Sequence, residues 1–63
     1  MNRAKLKGLR VEKGFTQEKL ANELNISVRS YLLKENGIRE FTESEISKLG
    51  EVLNVHPSIF FAN

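Results

Sequence analysis

Sixty-three residues with a formal net charge of +2 make one small domain. Such a chain buries only about 60 % of the surface it exposes unfolded, so tight packing of short elements has to hold it. It has no Cys, no Asp and a single His, which excludes disulfides, thiolate chemistry and Cys-based zinc sites. No run approaches the roughly 20 apolar residues of a membrane span, and residues 1–7 lack the apolar stretch of a signal peptide, so the expected location is cytoplasmic.

Charge is unevenly placed. Residues 1–14 carry Arg3, Lys5, Lys7, Arg10 and Lys13 against Glu12, whereas residues 41–63 carry Glu43, Glu45 and Glu51 against Lys48. A basic end of this kind can orient a small domain on a polyanion even at modest net charge.

The spacing predicts a first helix over 2–13, with Leu6 and Leu9 inward, the lysines outward and Gly14 as its stop. Thr16 and Ser27 then mark two helix starts eleven residues apart, each offering a side-chain oxygen to the free N–H groups of a first turn. Phe15 with Leu20 and Ile26 with Tyr31 stand at the spacing of hydrophobic staples, which set the angle at which the chain enters each helix. The second helix, 17–24, places Leu20, Ala21 and Leu24 on one face, and Asn25 supplies a residue that tolerates the left-handed backbone of a tight turn. Ala21 is small enough for a close crossing with the third helix, 28–35, which Asn36-Gly37 ends after about two turns.

Thr42-Glu-Ser-Glu45 is a capping box with Phe41 and Ile46 as its staple. It opens a fourth helix along Ile46, Leu49, Val52 and Leu53 that ends near Asn54. Val55-His56-Pro57 restarts the chain, and Pro at a first helical position predicts a short fifth helix over 57–61, bordered or capped by His56. No segment alternates long enough for a strand. The expected architecture is therefore all-α with five short helices, built on a core of Leu6, Leu9, Leu20, Ala21, Leu24, Ile26, Tyr31, Ile46, Leu49, Leu53, Val55, Ile59 and Phe60.

The run Gly14-Phe-Thr-Gln-Glu-Lys-Leu-Ala21, the Leu24-Asn-Ile-Ser27 turn, the Glu35-Asn-Gly37 ending and the Leu53-Asn-Val55 restart resemble the Cro and repressor type of helix-turn-helix domain. Phage repressors and the xenobiotic-response-element regulators of bacteria belong to that family, and the resemblance covers about Leu6 to Phe61. It implies a compact five-helix, lambda-repressor-like domain that binds double-stranded DNA sequence-specifically as a transcriptional regulator, a repressor of the phage or prophage type. The third helix would lie in the major groove with Val28, Arg29 and Ser30 near base edges. Arg29 suits a bidentate contact to guanine and Val28 a thymine methyl. Phosphate contacts would fall to Gln17, Asn36 and Arg39. Arg10 and Glu35, which taken alone read as charges on solvated faces, match a family ion pair between the first helix and the end of the third. The implied partners are a DNA operator and a second copy of the chain, at least on DNA, with no cofactor, membrane or small-molecule ligand.

Several residues depart from the family pattern. Asn25 stands where Gly is usual, Tyr31 replaces an aliphatic residue and its hydroxyl needs a partner, and Phe41 takes a position that is often Pro. Lys34 stands where an apolar residue is usual and reads as a phosphate contact or a solvated side chain. Leu32 and Leu33 stand where polar residues are usual. They are read as tucked against neighbouring helices, as a contact from Leu33 to thymine methyls, or as a protein-binding surface.

Catalysis has little to work with. A lone His56 beside Pro57 makes no metal site, and Glu43 and Glu45 are explained by the capping box and the face beside it. The competing reading is a protein-interaction module, an antitoxin half or adaptor, because a fold does not settle a function. Ile59-Phe60-Phe61 carries more apolar material than one short helix buries, which makes Phe61 a candidate dimer contact.

Overall fold

The computed structural model describes residues 1–62. It contains four α-helices, α1 (Arg3–Glu12), α2 (Gln17–Glu23), α3 (Val28–Glu35) and α4 (Glu43–Leu53), closed by a 3-10 helix (Pro57–Phe61), and no strand occurs among the described residues. Every α-helix starts on a side-chain cap. Asn2, expected inside the first helix, instead stands before it, and its Oδ1 accepts from Lys5 N at 3.0 Å. Thr16 Oγ1 accepts from Lys19 N and Ser27 Oγ from Ser30 N, each at 3.0 Å. At Thr42 the capping box is complete: Oγ1 accepts from Glu45 N at 3.1 Å and Glu45 Oε1 accepts from Thr42 N at 2.9 Å.

The four α-helices also end alike. Gly14, Asn25, Gly37 and Asn54 adopt left-handed backbone, with φ between 57° and 83°. The next residue then donates its N–H back to the last turn: Phe15 to Arg10 O, Ile26 to Ala21 O, Ile38 to Leu33 O and Val55 to Gly50 O, at 2.9 to 3.0 Å. This satisfies carbonyls that a helix end otherwise leaves unpaired and turns the following apolar residue back towards the core. Phe15, Ile26 and Val55 pack there. Ile38 is the exception, 71 % exposed, and Phe41 three residues later enters the core in its place.

The fifth expected helix forms as a 3-10 helix. Pro57 has no N–H, the element is five residues long, and its bonds run three residues back, from Ile59 N to His56 O and from Ala62 N to Ile59 O. His56 caps it through Nδ1, which accepts from Ser58 N at 3.1 Å.

Leu6, Leu20, Ala21, Tyr31, Phe41, Leu49, Leu53 and Phe60 form the buried core. Phe41 is an addition to the expected set, its ring edge-on to Tyr31 with centroids 5.9 Å apart. Leu9, Leu24, Ile26, Ile46, Val55 and Ile59 cover this core from partly buried positions. Gly50 is buried where α4 meets the last segment: a Cβ there would stand 2.8 Å from Val55 O and 2.9 Å from Pro57 Cγ. The close approach requires a residue without a side chain.

Candidate nucleic-acid interface

The α2–α3 crossing presents α3 with two distinct edges. Tyr31 and Glu35, one turn apart, point inward and are buried. Arg29 and Leu33, also one turn apart, lie on the opposite side, flanked by Ser30. Arg29 is exposed and its side chain makes no hydrogen bond or ion pair among the described residues, and Val28 is 37 % exposed at the first position of the helix. Leu32 and Leu33 are partly buried yet lie outside the core cluster, so they line the surface of α3 without completing the interior.

The inner edge of α3 is anchored by a buried network centred on Glu35. Its Oε2 accepts from Arg10 Nε at 2.9 Å and from the Tyr31 hydroxyl at 2.6 Å; its Oε1 accepts from Arg10 Nη2 at 3.3 Å and from Gln17 Nε2 at 3.0 Å. Arg10 Nη1 continues to Phe15 O at 2.9 Å, in the turn between α1 and α2. One carboxylate thus ties α1, the start of α2 and α3 into a fixed arrangement. Burial alone would raise the pKa of Glu35, but hydrogen bonds from Arg10, Tyr31 and Gln17 and the Arg10 charge outweigh it and hold the group below the usual carboxylate range. Burial pushes the Tyr31 hydroxyl well above its ordinary value, and its bond to the Glu35 carboxylate adds to the effect. The hydroxyl, whose burial requires a partner, has the Glu35 carboxylate as its acceptor.

The basic residues divide into committed and free. Arg10 is spent inside the Glu35 network. Lys34, expected to reach phosphate or solvent, turns instead onto the start of α4: its Nζ lies 2.6 and 2.7 Å from the two Glu45 carboxylate oxygens, and both side chains are 13 % exposed. The Lys34 ammonium is thus held by Glu45 and does not stand free for a phosphate in this arrangement. Its four-carbon stem packs where the family pattern has an apolar residue, and the amine finds a carboxylate at the edge of that site. Burial would raise the pKa of Glu45, but the bond from Lys34, with those from Thr42 and the Lys34 charge, holds it below the usual range.

Beyond α3, the 36–40 segment leaves Asn36 and Arg39 exposed, with no side-chain hydrogen bond at either residue among the described residues. Gln17, at the first position of α2, donates one of its two amide hydrogens to Glu35 and retains the other. Phe61 is 59 % exposed at the far end of the chain. Arg3, which nothing in the sequence singles out, donates from Nε to Lys34 O and from Nη2 to Glu40 Oε1, both at 3.1 Å. Glu45 as the partner of Lys34 is likewise not visible in the sequence. None of these three pairings leaves a local signal, since the partners stand 31, 37 and 11 residues apart.

A family model described as helix-turn-helix matches residues 6–60. A Bacillus subtilis (strain 168) protein named as an uncharacterised HTH-type transcriptional regulator, YqaF, is 43 % identical over 61 residues, covering 97 % of this chain and 80 % of that protein. No solved structure matches significantly. With the caps, the turn and the inward Glu35 edge in place over the matched span, the chain belongs to the Cro and repressor type of helix-turn-helix family, a family of DNA-binding transcription regulators.

Proposed function

We propose that this protein reads a specific double-stranded DNA sequence through the major groove with α3 and acts as a transcriptional repressor in the cytoplasm. The observation that carries the reading is the division of α3: its inner edge is locked by the Glu35 network, while Arg29 stands exposed and unpaired beside Val28 and Ser30. A rigid helix with a free guanidinium near its N-terminus meets the requirement for base-edge contact. In this reading Arg29 pairs with guanine, Val28 and Leu33 rest on thymine methyls and Ser30 adds a weaker polar contact. Asn36, Arg39 and the remaining amide hydrogen of Gln17 take phosphates. Binding rather than catalysis is the proposed role, because the two carboxylates held below their ordinary range are committed to Arg10 and Lys34.

Two copies on paired half-sites complete the proposal, with exposed Phe61 in the contact between them. Sedimentation with and without duplex tests this part, and a monomer in both states would refute it.

The central test is selection of bound duplexes from a random pool, followed by affinity measured against salt. Arg29→Ala should blur one base preference, a loss of about 1–3 kcal/mol of discrimination, whereas Gln17→Ala should weaken binding to all duplexes alike. A pool that returns no enriched motif, with affinity insensitive to salt, would reject the DNA reading in favour of a protein-interaction module.

A further inference from the structure

Arg3 stands at the first position of α1, far in sequence from the segment that follows α3, yet it is built into that segment. Its Nε donates to the carbonyl of Lys34 in the last turn of α3, and its Nη2 donates to Glu40 at the other end of the loop, each at 3.1 Å. Between these two anchors the guanidinium lies against Gly37, where a Cβ would stand 3.2 Å from Nε and 3.3 Å from Cδ. Asn36 and Arg39, which lie between the two anchors, are exposed and without side-chain partners among the described residues. Backbone bonds from Ile38 N and Arg39 N to Leu33 O hold the start of the segment, and the Arg3 guanidinium spans to its end.

We propose that Arg3 is a positioning residue for nucleic-acid binding, fixing the 36–40 segment so that Asn36 and Arg39 meet phosphates together; this rests on the DNA-binding reading above. The geometry needs a fork. Two acceptors are served from separate nitrogens of one plane that also packs on Gly37, and a lysine ammonium on a flexible stem cannot reproduce that arrangement. The Arg3–Glu40 pair itself is too exposed at Glu40, 83 %, to contribute much to global stability. Its effect is expected on the segment.

The test measures binding of the full chain to a duplex selected by the wild-type protein and to a mixed-sequence duplex of equal length. Arg3→Gln and Arg3→Lys should both weaken binding by about tenfold, the loss of roughly one charge-assisted contact. In a background that already carries Asn36→Ala and Arg39→Ala, Arg3→Gln should cost nothing further, because residues acting through one contact are not additive. Amide exchange at Gly37, Ile38 and Arg39 should accelerate in free Arg3→Gln while that of α1 stays unchanged. If Arg3→Lys binds like wild type and the losses add, Arg3 is itself a phosphate contact and the proposal is wrong. Wild-type affinity in Arg3→Gln, or unchanged exchange at the three amides, overturns it as well. Wild-type protein that binds neither duplex overturns the DNA reading instead, and the exchange measurement then decides alone whether Arg3 holds the segment.

Discussion

Replacing Arg10 by Met removes the guanidinium from a carboxylate whose side chain is 2 % exposed, leaving a charge buried without its ionic partner. Loss of one member of such a pair costs about 3–5 kcal/mol. The lower end applies, because Glu35 keeps the Tyr31 hydroxyl at 2.6 Å and the Gln17 amide at 3.0 Å, although Phe15 O loses its donor too. A change of about 3 kcal/mol in a domain of this size lowers Tm by roughly 12–24 °C. The same loss is comparable with the total stability of a 63-residue domain, roughly 3–9 kcal/mol. Lys7 is exposed on the same helix, and Lys7→Met should stay within about 0.5 kcal/mol of wild type. The assay is thermal unfolding followed by circular dichroism from pH 7 to pH 5.

The pH dependence supplies a signature that mere loss of packing would not show. In wild type the pKa of Glu35 is depressed, so its contribution is complete above the unfolded value, about 4.3, and is lost as pH falls through the lower folded value. Between pH 7 and pH 5 wild type is therefore flat with respect to this group. In Arg10→Met burial is no longer offset by the guanidinium, the Glu35 pKa rises, and protonation relieves the buried charge. The variant should recover stability relative to wild type as pH falls over that interval. Equal Tm shifts for Arg10→Met and Lys7→Met, or a gap that does not narrow with acid, would refute the reasoning.

Two helical glycines should respond in opposite directions to the same substitution. Gly8 has open space around its Cβ position, so Gly8→Ala should stabilise by about 0.5–1 kcal/mol, whereas Gly50→Ala meets Val55 O and Pro57 and should destabilise by about 1–3 kcal/mol, both read from urea midpoints. Glu45→Gln should lower stability at pH 7 by weakening both the α4 cap and the tie to Lys34. Because the Glu45 pKa is depressed, wild type loses this contribution as pH falls below about 4.3, and the variant should lose less over the same range. Urea midpoints at pH 7 and pH 3 that fall by equal amounts in both proteins would contradict the assignment.

Apart from the start of α1, where Asn2 caps the helix instead of lying within it, the helix boundaries are legible because each depends on residues within about five positions of one another. Thr16, Ser27 and Thr42 bond to the first turns they precede, and Gly14, Asn25, Gly37 and Asn54 permit the left-handed step after the last turns. Phe41 was visible as a staple residue, but its place in the core follows from Ile38 being left outside, a choice made by packing against Tyr31. The sequence locates the last element and does not decide its type: Pro57 announces a helix start, and the five residues, with Pro57 against Gly50, settle into 3-10 geometry.

What the amino-acid sequence determined by itself is the scaffold, since caps, turns and staples are short-range and nearly independent of the rest of the chain. Which charges remain free was decided only in three dimensions. Arg3, Arg10, Arg29 and Lys34 all read as basic residues on or beside helices, yet Arg10 is drawn to Glu35, Lys34 to Glu45 and Arg3 to Lys34 O and Glu40, leaving the Arg29 side chain exposed and unpaired among the described residues. Long flexible side chains reach partners set by how separate helices pack, and burial makes an ion pair favourable only where that packing excludes water and supplies the remaining hydrogen bonds.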